Sequence, residues 1–249
     1  MIQIRDLTVA FSGRTVLDHL SLEVYEGKTL VVLGRSGIGK SVLLKAVLGL
    51  LPAQSGSVEI DGVEVLKASV SVAREYRGRV GMLLQNGGLF DSMSVFDNIA
   101  FPLRYHKLAP EAEIRGRVEH YAELVDLKDA LAVFPQDLSG GMRRRAALAR
   151  AIIQNPKYLF YDEPSTGLDP STSALVEILI RRVKEELGIT TLIVTHDVDM
   201  VMFLGEDVAL LSEGHITARQ DLKTAMTPGS EIWDQFISQR EKAHREHGF

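Results

Sequence analysis

The chain of 249 residues contains no cysteine. That excludes disulfides, thiolate metal ligands and cysteine nucleophiles, and it permits a cytoplasmic setting. Basic charge is not in excess, with 28 lysines and arginines against 33 acidic residues and a formal charge of −5. Such a balance argues against a sequence-independent nucleic-acid binder, which would carry a basic footprint. Long hydrophobic runs are missing too: the greasiest stretch, around Val42 to Ala53, is interrupted by Lys45 and Pro52, well short of the roughly 20 apolar residues that cross a bilayer. The opening Met1-Ile2-Gln3-Ile4-Arg5-Asp6 alternates and lacks the apolar centre of a signal peptide. A chain soluble on its own, with no export signal, is therefore expected. There is no internal repeat and no low-complexity linker, and the length allows one large or two small domains.

The residues present lay out an α/β pattern. Ile2, Ile4 and Leu7, a Ser12-Gly13 turn, then Leu20, Leu22 and Val24 predict short strands closing at Glu26-Gly27. Thr29 to Leu33 is a continuous apolar run, as in a strand buried on both faces. A helix is expected from Ser41 to Leu51, stopped by Pro52. Ser57 to Val65 reads as a hairpin around Asp61-Gly62, and Val80 to Leu84 as another buried strand. Asn86 to Gln154 shows long amphipathic segments and reads as a helical insertion. Strands and a helix resume at Tyr158 to Tyr161, Ser171 to Leu187 and Thr191 to Val194, before a last hairpin near Val208 to Ile216. Beyond Asp221 the chain is charged and helix-prone, with Trp233 and Phe236 on one face, and Arg240 to Phe249 is expected to fray.

Chemistry concentrates at a few places. Gly34-Arg35-Ser36-Gly37-Ile38-Gly39-Lys40-Ser41 fits G-x-x-x-x-G-K-[ST], and it lies between the expected strand and helix that this phosphate-cradling loop requires. Backbone N–H groups of Gly34, Arg35, Ser36, Gly37, Ile38 and Gly39, continuing to Val42, converge on phosphates, Lys40 supplies a point charge, and Ser41 offers its hydroxyl to Mg²⁺. The bland alternative is a glycine turn before a helix. Ser139-Gly140-Gly141 opens a helix and suits capture of the exposed end of a phosphate chain. Asp162 and Glu163 end an apolar strand, at the sheet edge where ligands bind. There Asp162 is placed for the Mg²⁺ hydration shell and Glu163 for orienting and deprotonating water; the alternative is a solvated acidic turn before Pro164. Gln85 and His196 each follow a strand, the first able to reach Mg²⁺ and the attacking water, the second the γ-phosphate. Both assignments lean on the rest of the set.

In the order P-loop, Gln85, Ser139-Gly140-Gly141, Asp162-Glu163, Gly167-Leu168-Asp169-Pro170 and His196, the chain resembles the nucleotide-binding subunits of ABC transporters, from Met1 to about Asp221. The resemblance implies an α/β fold: a P-loop (RecA-like) core with an antiparallel β subdomain and an inserted α-helical subdomain. It implies an ABC-type ATPase domain over 1–221, with the helical subdomain at about 86–154, followed by a helical tail over 222–249. It implies hydrolysis of ATP with Mg²⁺ by two copies, Ser139, Gly140 and Gly141 of one completing the ATP site of the other. Asp169 then connects the two sites and Phe11 stacks on adenine, although a phenylalanine near a chain start is more often core.

Met142 stands where most of that family carries glutamine, and Met142 to Arg150 and Gly88 to Arg104 resemble the ATPases of Mla and Mce-type lipid transport systems. That narrower resemblance implies integral membrane permease subunits and a lipid-binding component as partners, no nucleic acid, and a place on the inner face of the cytoplasmic membrane. Gly87 to Pro102 is then either core of the helical insertion or a groove that receives a short helix of a membrane subunit. Arg143, Arg144 and Arg145 point in three directions on a helix and are expected to form a solvated face with some ion pairing. Two rivals remain: a soluble ABC ATPase acting on nucleic acid or ribosomes, and a P-loop kinase, in which Ser139-Gly140-Gly141 and His196 have no task.

Overall fold

The computed structural model describes residues 1–237, and the chain divides into two compact units, residues 1–73 with the chain from 192 onward, and residues 74–191. In the first unit β1 (Ile2–Phe11) and β2 (Arg14–Val24) form an antiparallel hairpin. Its turn residues Ser12 and Gly13 both have positive φ, 49° and 81°, the turn geometry whose twist matches the flanking strands. Ile2 and Ile4 are buried at even positions but Leu7 and Val9 at odd ones. A register shift between Ile4 and Leu7, with Asp6 at φ 49°, flips the inward face. Next come β3 (Thr29–Leu33), buried throughout, and α1 (Lys40–Val47).

Helix α1 ends earlier than expected. Gly49 adopts φ 60°, its N–H donates to Ala46 O, and Leu50 N–H donates to Lys45 O. This paired closure satisfies the last carbonyls and stops the helix well before Pro52. Strands β4 (Ser55–Ile60) and β5 (Val63–Glu64) complete a sheet ordered β2-β1-β4-β5. A short helix that the pattern did not signal, α2 (Val70–Arg77), follows.

The second unit contains β6 (Val80–Leu83), then α3 (Val95–Tyr105), α4 (Glu111–Leu124) and α5 (Gly140–Ile152), with no strand between residues 84 and 157. Each of the helices α3 and α5 begins at a serine whose hydroxyl accepts from the N–H three residues on: Ser94 from Asp97, Ser139 from Met142. β7 (Tyr158–Asp162) is buried along its length and pairs with β6 in parallel, Val80 opposite Tyr158 through Leu83 opposite Tyr161. α6 (Pro170–Leu187) has Asp169 as its cap, Pro170 in its first turn and Gly188 in the left-handed conformation at its end.

β8 (Thr190–Thr195) leads the chain back into the first unit, where α7 (Val198–Leu204), β9 (Asp207–Ser212) and β10 (His215–Asp221) follow. β9 runs parallel to β3, Leu30 opposite Asp207 and Leu33 opposite Leu210, and β10 pairs antiparallel on its far side. α8 (Leu222–Ala225) is capped by Asp221. A π-helical turn spans Trp233–Ile237, with Ile232 fully buried and the Thr217 hydroxyl 3.4 Å from Gln235 Oε1. Arg240 to Phe249 lie outside the described residues. Among the described residues no helix is long and apolar enough to cross a membrane.

Candidate functional site

The glycine loop of the first unit joins β3 to α1. Gly37 and Gly39 have φ of 78° and 116°, a region that L side chains avoid. A Cβ on Gly39 would also lie 3.0 Å from Val16 Cγ1, so both space and conformation demand glycine there. Lys40 is buried, and its ammonium donates to Gly34 O at 2.7 Å and Arg35 O at 2.9 Å. The loop is thereby curled around its own lysine, with Arg35, Ser36 and Gly37 exposed at its crest. Gly34 N–H donates to Thr195 O at 3.1 Å, which fixes the start of the loop beside the end of β8, where exposed His196 follows. Phe11, at the end of β1, is 41% exposed, not the core residue that its neighbours would make of it.

In the second unit β7 delivers Asp162 and Glu163 at its carboxyl end, both buried. Glu163 has φ 50°, a left-handed conformation that costs a non-glycine residue free energy and persists only where surroundings enforce it. Thr166 supplies part of that enforcement, its N–H donating to Glu163 O at 3.3 Å and its hydroxyl to Glu163 Oε2 at 3.0 Å. Gln85 lies exposed two residues past β6, and Ser139 is exposed at the start of α5. Gly140 and Gly141 follow it, and a Cβ on Gly141 would fall 2.3 Å from Thr172 Cγ2. The helix starts of α5 and α6 therefore meet through a glycine that no other residue replaces without displacement. Asp169 accepts from Thr172 N–H at 3.1 Å and from the Ser171 and Thr172 hydroxyls at 2.5 Å. The Ser171 hydroxyl, followed by Thr172, holds the Asp169 carboxyl well below the usual carboxylate range.

For a hard cation, the Ser41 hydroxyl, the Asp162 carboxylate and the Gln85 amide oxygen are the right class of donor. Among the described residues no cluster of three His, Asp or Glu side chains is arranged to hold a metal by itself. By residue type each is a donor that Mg²⁺ accepts, since Mg²⁺ keeps water and takes one or two protein oxygens beside substrate phosphates.

The expectation of a solvated face holds for Arg143, which is exposed, but fails for buried Arg144 and in part for half-buried Arg145. All three donate to backbone carbonyls: Arg143 to Pro135 O, Arg144 to Leu84 O and Thr166 O, Arg145 to Val125 O and Asp126 O. Turns and the end of α4 leave carbonyls without helical partners, and these long cationic side chains satisfy them. Sequence reasoning also passed over Asn98 and Thr166. Asn98 is fully buried and makes four hydrogen bonds to Phe90, Met93 and Ser94 backbone atoms. It thereby fixes the segment before α3. The one signal was an amide inside an apolar helix face.

Comparison with known proteins shows the family. Residues 17–166 match the family model described as ABC transporter. A Haemophilus influenzae protein named intermembrane phospholipid transport system ATP-binding protein MlaF is 41% identical over 218 residues, 88% of this chain and 83% of its own length. A Mycobacterium leprae protein named probable ribonucleotide transport ATP-binding protein mkl is 37% identical over 239 residues, 96% of this chain and 69% of its own. Among solved structures, the dimeric post-hydrolysis state of the ATP-binding cassette MJ0796 bound to ADP and Pi superposes with a TM-score of 0.81 at 26% identity, covering 89% of this chain and 99% of that one. The α/β core, the antiparallel sheet and the helical insertion are those of ABC ATPases. With its glycine loop, its paired carboxylates and this match over most of its length, the chain belongs to the ABC transporter family as an ATP-binding, ATP-hydrolysing subunit.

Proposed function

We propose that two copies of this chain close on two ATP molecules and drive a membrane permease that moves phospholipid between membranes. The observation that supports closure is Ser139, exposed at the open start of α5, where among the described residues only its own Met142 N–H bonds to its hydroxyl. A helix start presented outward with a hydroxyl at its tip is a receptor for the terminal phosphate of another copy's nucleotide.

In this reading Lys40 and the N–H groups from Gly34 to Val42 bind the phosphates, and Phe11 stacks on adenine. Ser41, Gln85 and Asp162 hold Mg²⁺, which when bound neutralises charge developing on the phosphates. Glu163 orients and deprotonates the attacking water, Gln85 and His196 steady it, and Asp169 links the two sites across the pair. The groove lined by Met82, Phe90, Phe101, Pro102 and Arg150, of about 290 Å³, receives a short helix of the permease. The chain then sits on the inner face of the cytoplasmic membrane, with a lipid-binding component as a further partner and no nucleic acid.

Phospholipid is favoured as cargo because identity is higher to the phospholipid-named relative, 41% against 37% for the ribonucleotide-named one. The test is affinity capture of the tagged chain from detergent-solubilised membranes, followed by reconstitution of what is recovered into vesicles. An integral membrane protein that transfers fluorescent phospholipid on addition of ATP is expected. Recovery of ribosomes or DNA, or ATP-driven movement of another solute, overturns the assignment.

A further inference from the structure

We propose that Arg144 is a positioning residue for hydrolysis, tying the segments that carry Gln85 and Glu163 to the helix that starts at Ser139. The inference rests on the roles given to those three residues above. Arg144 lies on α5, a turn and a half past the Ser139 cap, and its side chain is only 7% exposed. Nη1 donates to Leu84 O at 3.1 Å, the residue before Gln85. Nη2 donates to Thr166 O at 3.1 Å, the residue whose hydroxyl holds the Glu163 carboxylate. One planar fork therefore spans two loops and one helix, with a separate terminal nitrogen for each carbonyl, whereas lysine presents all its donors from one point at the end of a flexible stem.

The arrangement is costly in a way that a merely structural residue would not need to be. No carboxylate pairs with Arg144 among the described residues, and its Nε is buried without a partner. Burial, helped by the charge of Arg143, lowers its pKa from the ordinary guanidinium value. A buried cation compensated only by carbonyl dipoles is destabilising relative to an apolar side chain of similar volume. What the charge and the fork provide is a fixed distance between α5 and both loops. A shift of α5, when Ser139 grips a phosphate, is passed to the groups that hold the attacking water.

The test compares Arg144→Met, Arg144→Lys and Glu163→Gln with the parent chain, measuring kcat and KM for ATP, affinity for a fluorescent ATP analogue, and thermal midpoint. Misplacing catalytic groups by as little as about 1 Å costs on the order of a hundredfold in rate. Arg144→Met is therefore expected to lose at least about tenfold in kcat while analogue affinity and KM change less than about twofold. Arg144→Lys, folded to the same thermal midpoint, is expected to fall between the two, because it restores one of the two bonds. A parental kcat in both folded Arg144 variants, with Glu163→Gln silent, overturns the inference and leaves the site reading standing. An equal loss in analogue affinity and kcat also overturns it, since Arg144 then supports the fold around the nucleotide and not the placement of water. Parental hydrolysis by Glu163→Gln overturns both.

Discussion

Glu163 shows what a single residue contributes. Its left-handed backbone turns the carboxylate away from the direction that β7 would give it, and Thr166 holds the oxygen at 3.0 Å. Strain of this kind at the end of a buried strand is maintained by its surroundings and belongs to positions where geometry serves chemistry. Glu163→Gln keeps the size and removes only the carboxylate proposed as the base. The expected result is ATP binding near the parental affinity with hydrolysis slowed by about a hundredfold or more, measured as phosphate release under saturating ATP. The types of residue proposed for the site could be picked out in the sequence because phosphate binding and water activation each require a particular functional group at a particular spacing. Their supports could not. Arg144 and Asn98 act through bonds to backbone carbonyls and amides, which carry no side-chain signature, and Thr166 reaches the Glu163 carboxylate only through a local turn, so nothing in the sequence distinguishes a buried arginine of α5 from a solvated one.

At the scale of elements, the helical insertion is fastened at its start by charge. Ser94 caps α3 and also donates to Asp97 Oδ2 at 2.7 Å, while Arg104, in the last turn, reaches Asp97 Oδ1 at 2.8 Å and Glu111 in the first turn of α4. The Ser94 hydroxyl and then Arg104 lower the Asp97 pKa, and Arg104 lowers that of Glu111. Groups whose folded pKa is depressed contribute stability that is complete above the unfolded value and is lost as pH falls through the folded one. With unfolded carboxylates near pH 4, the thermal midpoint is expected to stay level from neutral pH to about 5 and to drop below about 4. In Arg104→Ala the acid drop is expected to be shallower, because Asp97 and Glu111 lose the partner that depressed them; circular dichroism melts across that range measure it. The strands and hairpins were legible because alternation and two-residue turns are local. The end of α1 was misread because Gly49, a left-handed closure, competes with Pro52 for the same task and lies first in the chain. α2 was missed because it buries only Ala73 and Tyr76 while its valines Val70 and Val72 are exposed, so its apolar residues do not mark its inward face.

For the whole molecule, the question is whether a site is completed by one chain or by two. In the proposed reading the stroke originates in how copies meet around nucleotide. Hydrogen bonds to charged groups contribute about 1.5–3 kcal/mol each. Four of them across a pair amount to about 6–12 kcal/mol before ordering costs, the scale of the roughly 5.5 kcal/mol that moves a population from mostly open to mostly closed. Mixing separates the alternatives. Lys40→Ala removes the charge within a copy's own loop, and Ser139→Ala removes the hydroxyl offered to a neighbour, so each variant alone has two damaged sites per pair. In a mixed pair, one site carries both lesions and the other carries Lys40 from one copy and Ser139 from the other, both intact. Random pairing in equal amounts makes half of the pairs mixed, so the mixture is expected to recover at most about a quarter of parental hydrolysis, well above either variant by itself. A mixture that stays as inactive as its components means that Ser139 serves the nucleotide of its own chain, and closure between copies is then not what ATP drives.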